Sequence, residues 1–124
     1  MMKRTLSFLL LLICTVQLFA ESSQTAIVLN GKGGNRSGQP LYFDVPLAFY
    51  VYGPKTQEII IDGGGVVSYY DVEISSATTN TVEISTQVNG TYDSFDILSL
   101  PTGSHVITIE SPSGNIYEGT FTKY

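Results

Sequence analysis

From residue 26 to the end of the chain, apolar side chains recur at every second position or in short runs. Gly, Pro, Asn or Ser clusters bound each run. A period of two is the signature of strands with one buried face, and no stretch keeps the spacing of three to four that an amphipathic helix needs. The alternation predicts strands over 26–29, 41–52, 57–61, 66–74, 81–88 and 92–98, one more through 105–109 and a last one through 117–121. Turn chemistry separates them: residues 30–40 (NGKGGNRSGQP), Gly53-Pro54, Asp62-Gly63-Gly64-Gly65, residues 75–80, Asn89-Gly90, residues 100–103 and residues 111–115.

The faces can be assigned by parity. Tyr70, Val72 and Ile74 point one way, with Tyr69, Asp71 and Glu73 opposite. Val82, Ile84 and Val88 are expected inward, with Thr81, Glu83 and Ser85 outward. His105 shares a face with Ile107 and Ile109, and Tyr117 with Gly119 and Phe121. One aliphatic face and one Thr/Ser/Glu/Asp face per strand suit two packed antiparallel sheets of seven or eight strands. The chain has no crossover segment of helical length, which excludes a parallel βαβ sheet. Pro46 cannot donate to a ladder, so the 41–52 stretch is expected on an edge, or broken there.

The first twenty residues follow another rule. Lys3 and Arg4 precede an apolar run over 6–13 that continues through Val16, Leu18 and Phe19 to the small Ala20. This is a secretory signal peptide, residues 1–20, cut after Ala20; the run is shorter than the ~20 residues of a spanning helix. Cys14 follows Leu12-Ile13 rather than small residues, so it belongs to the apolar core of the leader and not to a lipidation site. The expected mature chain is one domain, residues 21–124, exported to the periplasm, the cell surface or the medium, with no membrane span once the leader is gone.

Cleavage changes the composition. Removing residues 1–20 from the 124 leaves 104, enough for one core and not two. It takes the single Cys and two of the six basic residues, so four face eleven acidic ones and the net charge moves from -5 to -7. An acidic chain without a basic patch is no general nucleic-acid binder. Without Cys and with a single His, a disulfide framework and a structural zinc site are excluded.

The candidate chemistry is sparse. Gly31 to Gly38 looks like a phosphate cradle, but it lacks the Gly-Lys-Ser/Thr ending and leads into a strand, not a helix. His105 would have to be the base of any triad, yet its parity places it facing the sandwich near the rim. Asp93 and Asp96, with Asp44, Asp62 and Asp71, match no calcium loop and are expected on a solvated acidic surface. No cofactor and no metal site is implied. Tyrosine is the most suggestive residue, with eight copies, all after the leader. Tyr69, Tyr50 and Tyr52 are the candidate surface-binding residues, since exposed aromatics stack on sugars or anchor proteins. Tyr also favours strands for its own sake.

One pattern points further. Asp96-Ile97 runs to Leu100-Pro101-Thr102-Gly103, then to the alternating Ile107-Thr108-Ile109, then past residues 111–115 to the stretch 116–121 (IYEGTF). Together with Arg36-Ser37 in an early loop, this resembles a family of small secreted Bacteroidetes proteins of unknown function. The resemblance implies a signal peptide followed by a single immunoglobulin-like β-sandwich, and it assigns no catalytic residue. The family commonly carries an aromatic at the position of His105. The Leu-x-x-Gly pattern before an alternating strand is also similar to C-terminal sorting domains of type IX secretion, which usually ride on a larger cargo. The expected function is therefore that of a non-catalytic exported module that binds a protein or a glycan. The alternatives are a structural or accessory module of a surface assembly, or a sorting-domain-like secretion module.

Overall fold

The computed structural model describes residues 23–32 and 44–124. The leader, Tyr42, Arg36-Ser37 and most of the Gly-rich loop lie outside these residues. The described chain contains nine strands: β1 (Ser23–Ile27), β2 (Asn30–Gly31), β3 (Leu47–Tyr52), β4 (Gln57–Asp62), β5 (Tyr69–Ser76), β6 (Val82–Asn89), β7 (Tyr92–Asp96), β8 (Gly103–Glu110) and β9 (Ile116–Lys123). They form a four-stranded sheet, β1-β3-β4-β7, and a five-stranded sheet, β2-β9-β8-β5-β6. All pairings are antiparallel. Among the described residues no helix is long and apolar enough to cross a membrane.

The parity rule built the core. Ile59 and Ile61 of the first sheet, with Val72, Ile74, Ile107 and Ile109 of the second, are fully buried in one cluster. Each such side chain contributes about 1.5–3 kcal/mol by leaving water. Tyr70 and Tyr117 are buried with them.

The expected strand at 26–29 is two strands that belong to different sheets. β1 pairs with β3, and β2 pairs with β9 after the chain has crossed at Val28-Leu29. Gly119 makes the crossing possible: a Cβ there would sit 2.6 Å from the Val28 carbonyl oxygen. The Asn89-Gly90 turn likewise joins strands of different sheets and closes no hairpin. Neither residue has the positive φ that a two-residue hairpin of this sequence needs. Instead, Gly63 and Gly64 donate to the Thr91 carbonyl at 3.0 and 3.1 Å, and Gly65 donates to that of Gly90 at 3.0 Å. The Asp-Gly-Gly-Gly segment thus lies against this turn as a strip of bare backbone.

Pro46 is buried just before β3, so the break expected at the proline is found there, while β3 itself lies between β1 and β4 and is no edge. Proline ends the chain's approach to the strand, where no ladder hydrogen bond is lost. In β6, Val82 is exposed, because the register slips between Ile74 and Ser75. Ile74 pairs with Ile84 while Ser75 pairs with Val82, which leaves Glu83 as the extra residue of a bulge. A bulge re-aims a side chain, and here it turns Glu83 inward. Finally, Asp44 is not on the surface; it is 1% exposed.

Candidate functional site

Asp44 anchors the most polar part of the interior. The Tyr117 hydroxyl donates to its Oδ1, the Ser113 hydroxyl to its Oδ2 at 2.8 Å, and the Asn115 amide to both oxygens at 3.3 and 3.2 Å. Tyr70 donates to its backbone carbonyl at 2.8 Å. Burial pushes the carboxyl up, but hydrogen bonds from Tyr117, Ser111, Ser113 and Asn115 outweigh it and hold it below its ordinary value. Burial, with the Asp44 charge beside it, lifts the Tyr70 phenol to about 12. Tyr117 rises for the same two reasons, with its hydrogen bond to Asp44 adding to them. A carboxylate sealed among donors that stay protonated is a structural clasp. It ties the segment before β3 to β5 and to the β8–β9 turn.

The other acidic candidates are spent locally. Asp62 accepts from the Gly64 N–H at 3.1 Å, Asp93 from that of Asn89 at 3.0 Å, and Asp96 from that of Leu98 at 2.9 Å. Asp71 accepts from the Gln87 amide at 3.1 Å. Each serves a turn or a cross-strand pair, and among the described residues no group of three or more His, Cys, Asp or Glu could hold a metal ion.

His105 faces the interior as its parity requires and is 2% exposed. Its ring stacks on Phe121, its register partner, at 5.6 Å between centroids. Nε2 lies 2.7 Å from the Pro101 carbonyl, and Nδ1 lies 3.1 Å from Glu83 Oε1. Nε2 is engaged by the Pro101 carbonyl and the ring is sealed from solvent, so it presents no accessible base to a substrate, while Nδ1 and Glu83 Oε1 face each other without a hydrogen bond.

The candidate tyrosines part company. Tyr69 lies half-buried on the outer face of the five-stranded sheet. Tyr50 and Tyr52 lie two apart on β3 and open onto one groove, bounded by β1, β3 and the end of β9. Tyr50 is buried and works from below, while Tyr52 is partly exposed. The groove holds about 230 Å³. Tyr50 meets Phe121 edge-on at 5.4 Å, and Tyr124 meets Tyr50 and Tyr52 edge-on at 6.4 and 5.8 Å. Ser23, Thr25, Thr120 and Thr122 add hydroxyl-bearing walls, and among the described residues no charged side chain lines the groove. The Tyr50 hydroxyl donates to Gln57 Oε1 at 2.5 Å and accepts from the Tyr124 N–H at 3.0 Å. Burial raises this phenol despite the Tyr124 N–H, with Tyr52 and Tyr124 adding to the rise. Tyr50 thus stays neutral and fixes the floor.

No protein-family model matches the chain, and no curated protein does. Among solved structures, the fold is similar to that of a DUF3244 family protein with an immunoglobulin-like beta-sandwich fold from Bacteroides vulgatus. The TM-score is 0.61 at 13% identity, over 82% of this chain and 100% of that one. The chain is an immunoglobulin-like β-sandwich. At this identity the likeness is one of fold. It agrees with the resemblance carried by residues 96–121, which implied this architecture.

In this immunoglobulin-like sandwich, the groove lies where β1 and β3 of one sheet meet β9 of the other. Tyr124 and Phe121, which complete it, carry no local signal beyond ordinary strand alternation. Only the packing of β9 beside β1 and β3 brings them to Tyr50 and Tyr52.

Proposed function

We propose that this chain is an exported, non-catalytic binding module that takes a neutral glycan in the groove of Tyr50, Tyr52 and Tyr124. The observation that carries this reading is the lining: three tyrosines and a phenylalanine, flanked by Ser and Thr hydroxyls, with no charged side chain among the described residues. Aromatic faces match the apolar C–H faces of a pyranose, and hydroxyls match its rim. The volume suits one or two sugar rings. The burial of His105 against Phe121 supports a non-catalytic role, and the apolar run behind Lys3-Arg4 supports export.

The test is an array of neutral oligosaccharides followed by calorimetric titration of the best hit. Tyr52→Ala and Tyr124→Ala should each weaken binding by about tenfold or more, since stacked aromatics dominate small interfaces. An empty array, or a hit indifferent to both substitutions, overturns the glycan reading. Export is tested separately: protein recovered from envelope and medium fractions should begin at Glu21, and full-length protein confined to the cytoplasm overturns it.

A further inference from the structure

The two sheets differ in the surface they present to solvent. On the outer face of the five-stranded sheet, Asp71 lies between Gln87 and Glu110, and Glu73 lies between Ser85 and Thr108. This is the polar face that the alternation predicts. The four-stranded sheet breaks that rule. Its outward positions on β3 are Leu47, Phe49 and Val51, with Ile60 central on β4 and Tyr92 at the end of β7. The register sets them side by side: Phe49 pairs with Ile60, and Leu47 and Tyr92 flank Asp62 on either side.

Leu47 is 60% exposed and Tyr92 57%. Ile60 is covered on this outer face, yet it is no member of the core cluster between the sheets. Leu47, Phe49 and Val51 run along β3 beside Ile60, with Tyr92 across Asp62, and an exposed apolar strip of this kind marks an interaction surface on a folded domain. Its charged strand positions are all acidic. Glu58 and Asp62 on β4 and Asp96 on β7 share the face, and none of its strand positions carries Lys or Arg.

We propose that the outer face of the four-stranded sheet docks a protein partner presenting an apolar centre ringed by Lys or Arg. The charge pattern selects this occupant. A second copy laid on the same face would bring Glu58, Asp62 and Asp96 against a surface whose charged strand positions are again all acidic, and like charges across an interface oppose association. A basic-rimmed partner converts the same three carboxylates into steering and register contacts, while Leu47, Phe49, Ile60 and Tyr92 supply the buried centre. This surface is separate from the tyrosine groove, which opens between the sheets, so the module can hold a glycan and a protein at once.

The first experiment uses the mature chain and a defined probe, a short peptide alternating Lys and Leu, with its Glu–Leu counterpart as control. The Lys–Leu peptide should bind, and the Glu–Leu peptide should not. Leu47→Ser with Tyr92→Ser should weaken binding about tenfold at unchanged net charge, because the aromatic and aliphatic anchors carry most of the affinity. Glu73→Gln, on the opposite sheet, should leave it unchanged. Both Ser substitutions are at exposed positions, and circular dichroism verifies the fold. Binding that survives the double Ser variant reflects net charge alone and overturns the proposal.

The second experiment places a benzoylphenylalanine photo-cross-linker at Tyr92 or, as control, at Tyr69 in the producing cell. An adduct with a different protein from Tyr92 and not from Tyr69, lost on Asp62→Lys with Asp96→Lys, supports the assignment. A dimer-sized adduct, equal adducts from both positions, or none overturns it.

Discussion

The phenol of Tyr117 donates its proton to the carboxylate of Asp44, 73 residues earlier in the chain. The bond joins the last strand to the segment that enters β3, across the interior of the sandwich. Asn115 and Ser113 donate to the same carboxylate from the preceding turn, so the β8–β9 hairpin holds Asp44 from one side. Asp44→Ala removes the acceptor for all three, at a cost of about 3 kcal/mol or more, since breaking a buried charged network leaves its partners stranded. Tyr117→Phe deletes one bond to a charged group and should cost about 1.5–3 kcal/mol. Urea denaturation midpoints measure both, and an Asp44→Ala variant as stable as wild type would show that the clasp contributes nothing.

Acid should release the same clasp. The Asp44 carboxyl is held below its ordinary value of 3.8 in the folded chain. The unfolded chain therefore takes up this proton first as pH drops. The stabilisation is complete above the ordinary value and is lost as pH falls through the folded value. The denaturation midpoint should decline below about pH 4, and the decline should be shallower in Asp44→Asn. Equal slopes in the two proteins would assign acid sensitivity to other carboxylates.

The alkaline limb follows from Tyr70, lifted from 10.0 to about 12 by burial and by the nearby Asp44 charge. A raised phenol stabilises the fold below 10.0 and loses that contribution as pH climbs toward 12. The loss amounts to about 2–3 kcal/mol. Tyr70→Phe is less stable at pH 7, because it gives up the bond to the Asp44 carbonyl. Its stability should nonetheless fall less than that of wild type between pH 9 and pH 12. Parallel curves would contradict the assignment.

The sandwich was legible wherever strict alternation governs a strand. Tyr70, Val72 and Ile74 sit inward as parity requires, as do His105, Ile107 and Ile109, because a two-sided sheet leaves no other register for them. What escaped depends on distant partners. Asp44 reads as a surface acid, since its donors lie at residues 113–117 and nothing beside it announces them. Glu83 reads as outward because one bulged residue inverts parity locally, and a bulge leaves no mark in the pattern. Asn89-Gly90 carries the signal of a hairpin but serves a change of sheet. Of the tyrosine candidates, Tyr50 and Tyr52 meet at one groove and Tyr69 lies apart, a division set by sheet membership and not by composition.

Gly90 tests the sheet change. A Cβ there would stand 1.8 Å from the Val67 carbonyl oxygen, which is backbone and cannot swing aside. Gly64 is the control: its φ of +67° strains any substitution, but nothing lies within 4 Å of its added Cβ. Gly64→Ala should cost about 1 kcal/mol for the left-handed backbone. Gly90→Ala should cost clearly more, about 2–3 kcal/mol, as overpacking does in a tight site. Thermal midpoints of the two variants give the order, and a milder Gly90→Ala would mean that the 62–68 segment yields freely.

Glu83 turns inward toward His105, and a double-mutant cycle tests whether the two are coupled beyond simple packing. Glu83 Oε1 lies 3.1 Å from Nδ1, with the carboxylate side chain only 18% exposed. His105→Phe keeps a flat ring to stack on Phe121 but leaves this carboxylate facing an apolar edge. It should destabilise by about 2 kcal/mol, as removal of one member of a sheltered pair does. Glu83→Leu alone leaves Nδ1 facing an apolar side chain in place of the carboxylate and should also destabilise. The double variant replaces both with apolar groups and should recover most of the loss, which would appear as a coupling of about 1–2 kcal/mol. Strict additivity in urea denaturation would mean that the bulge places Glu83 there without the pair contributing to the fold.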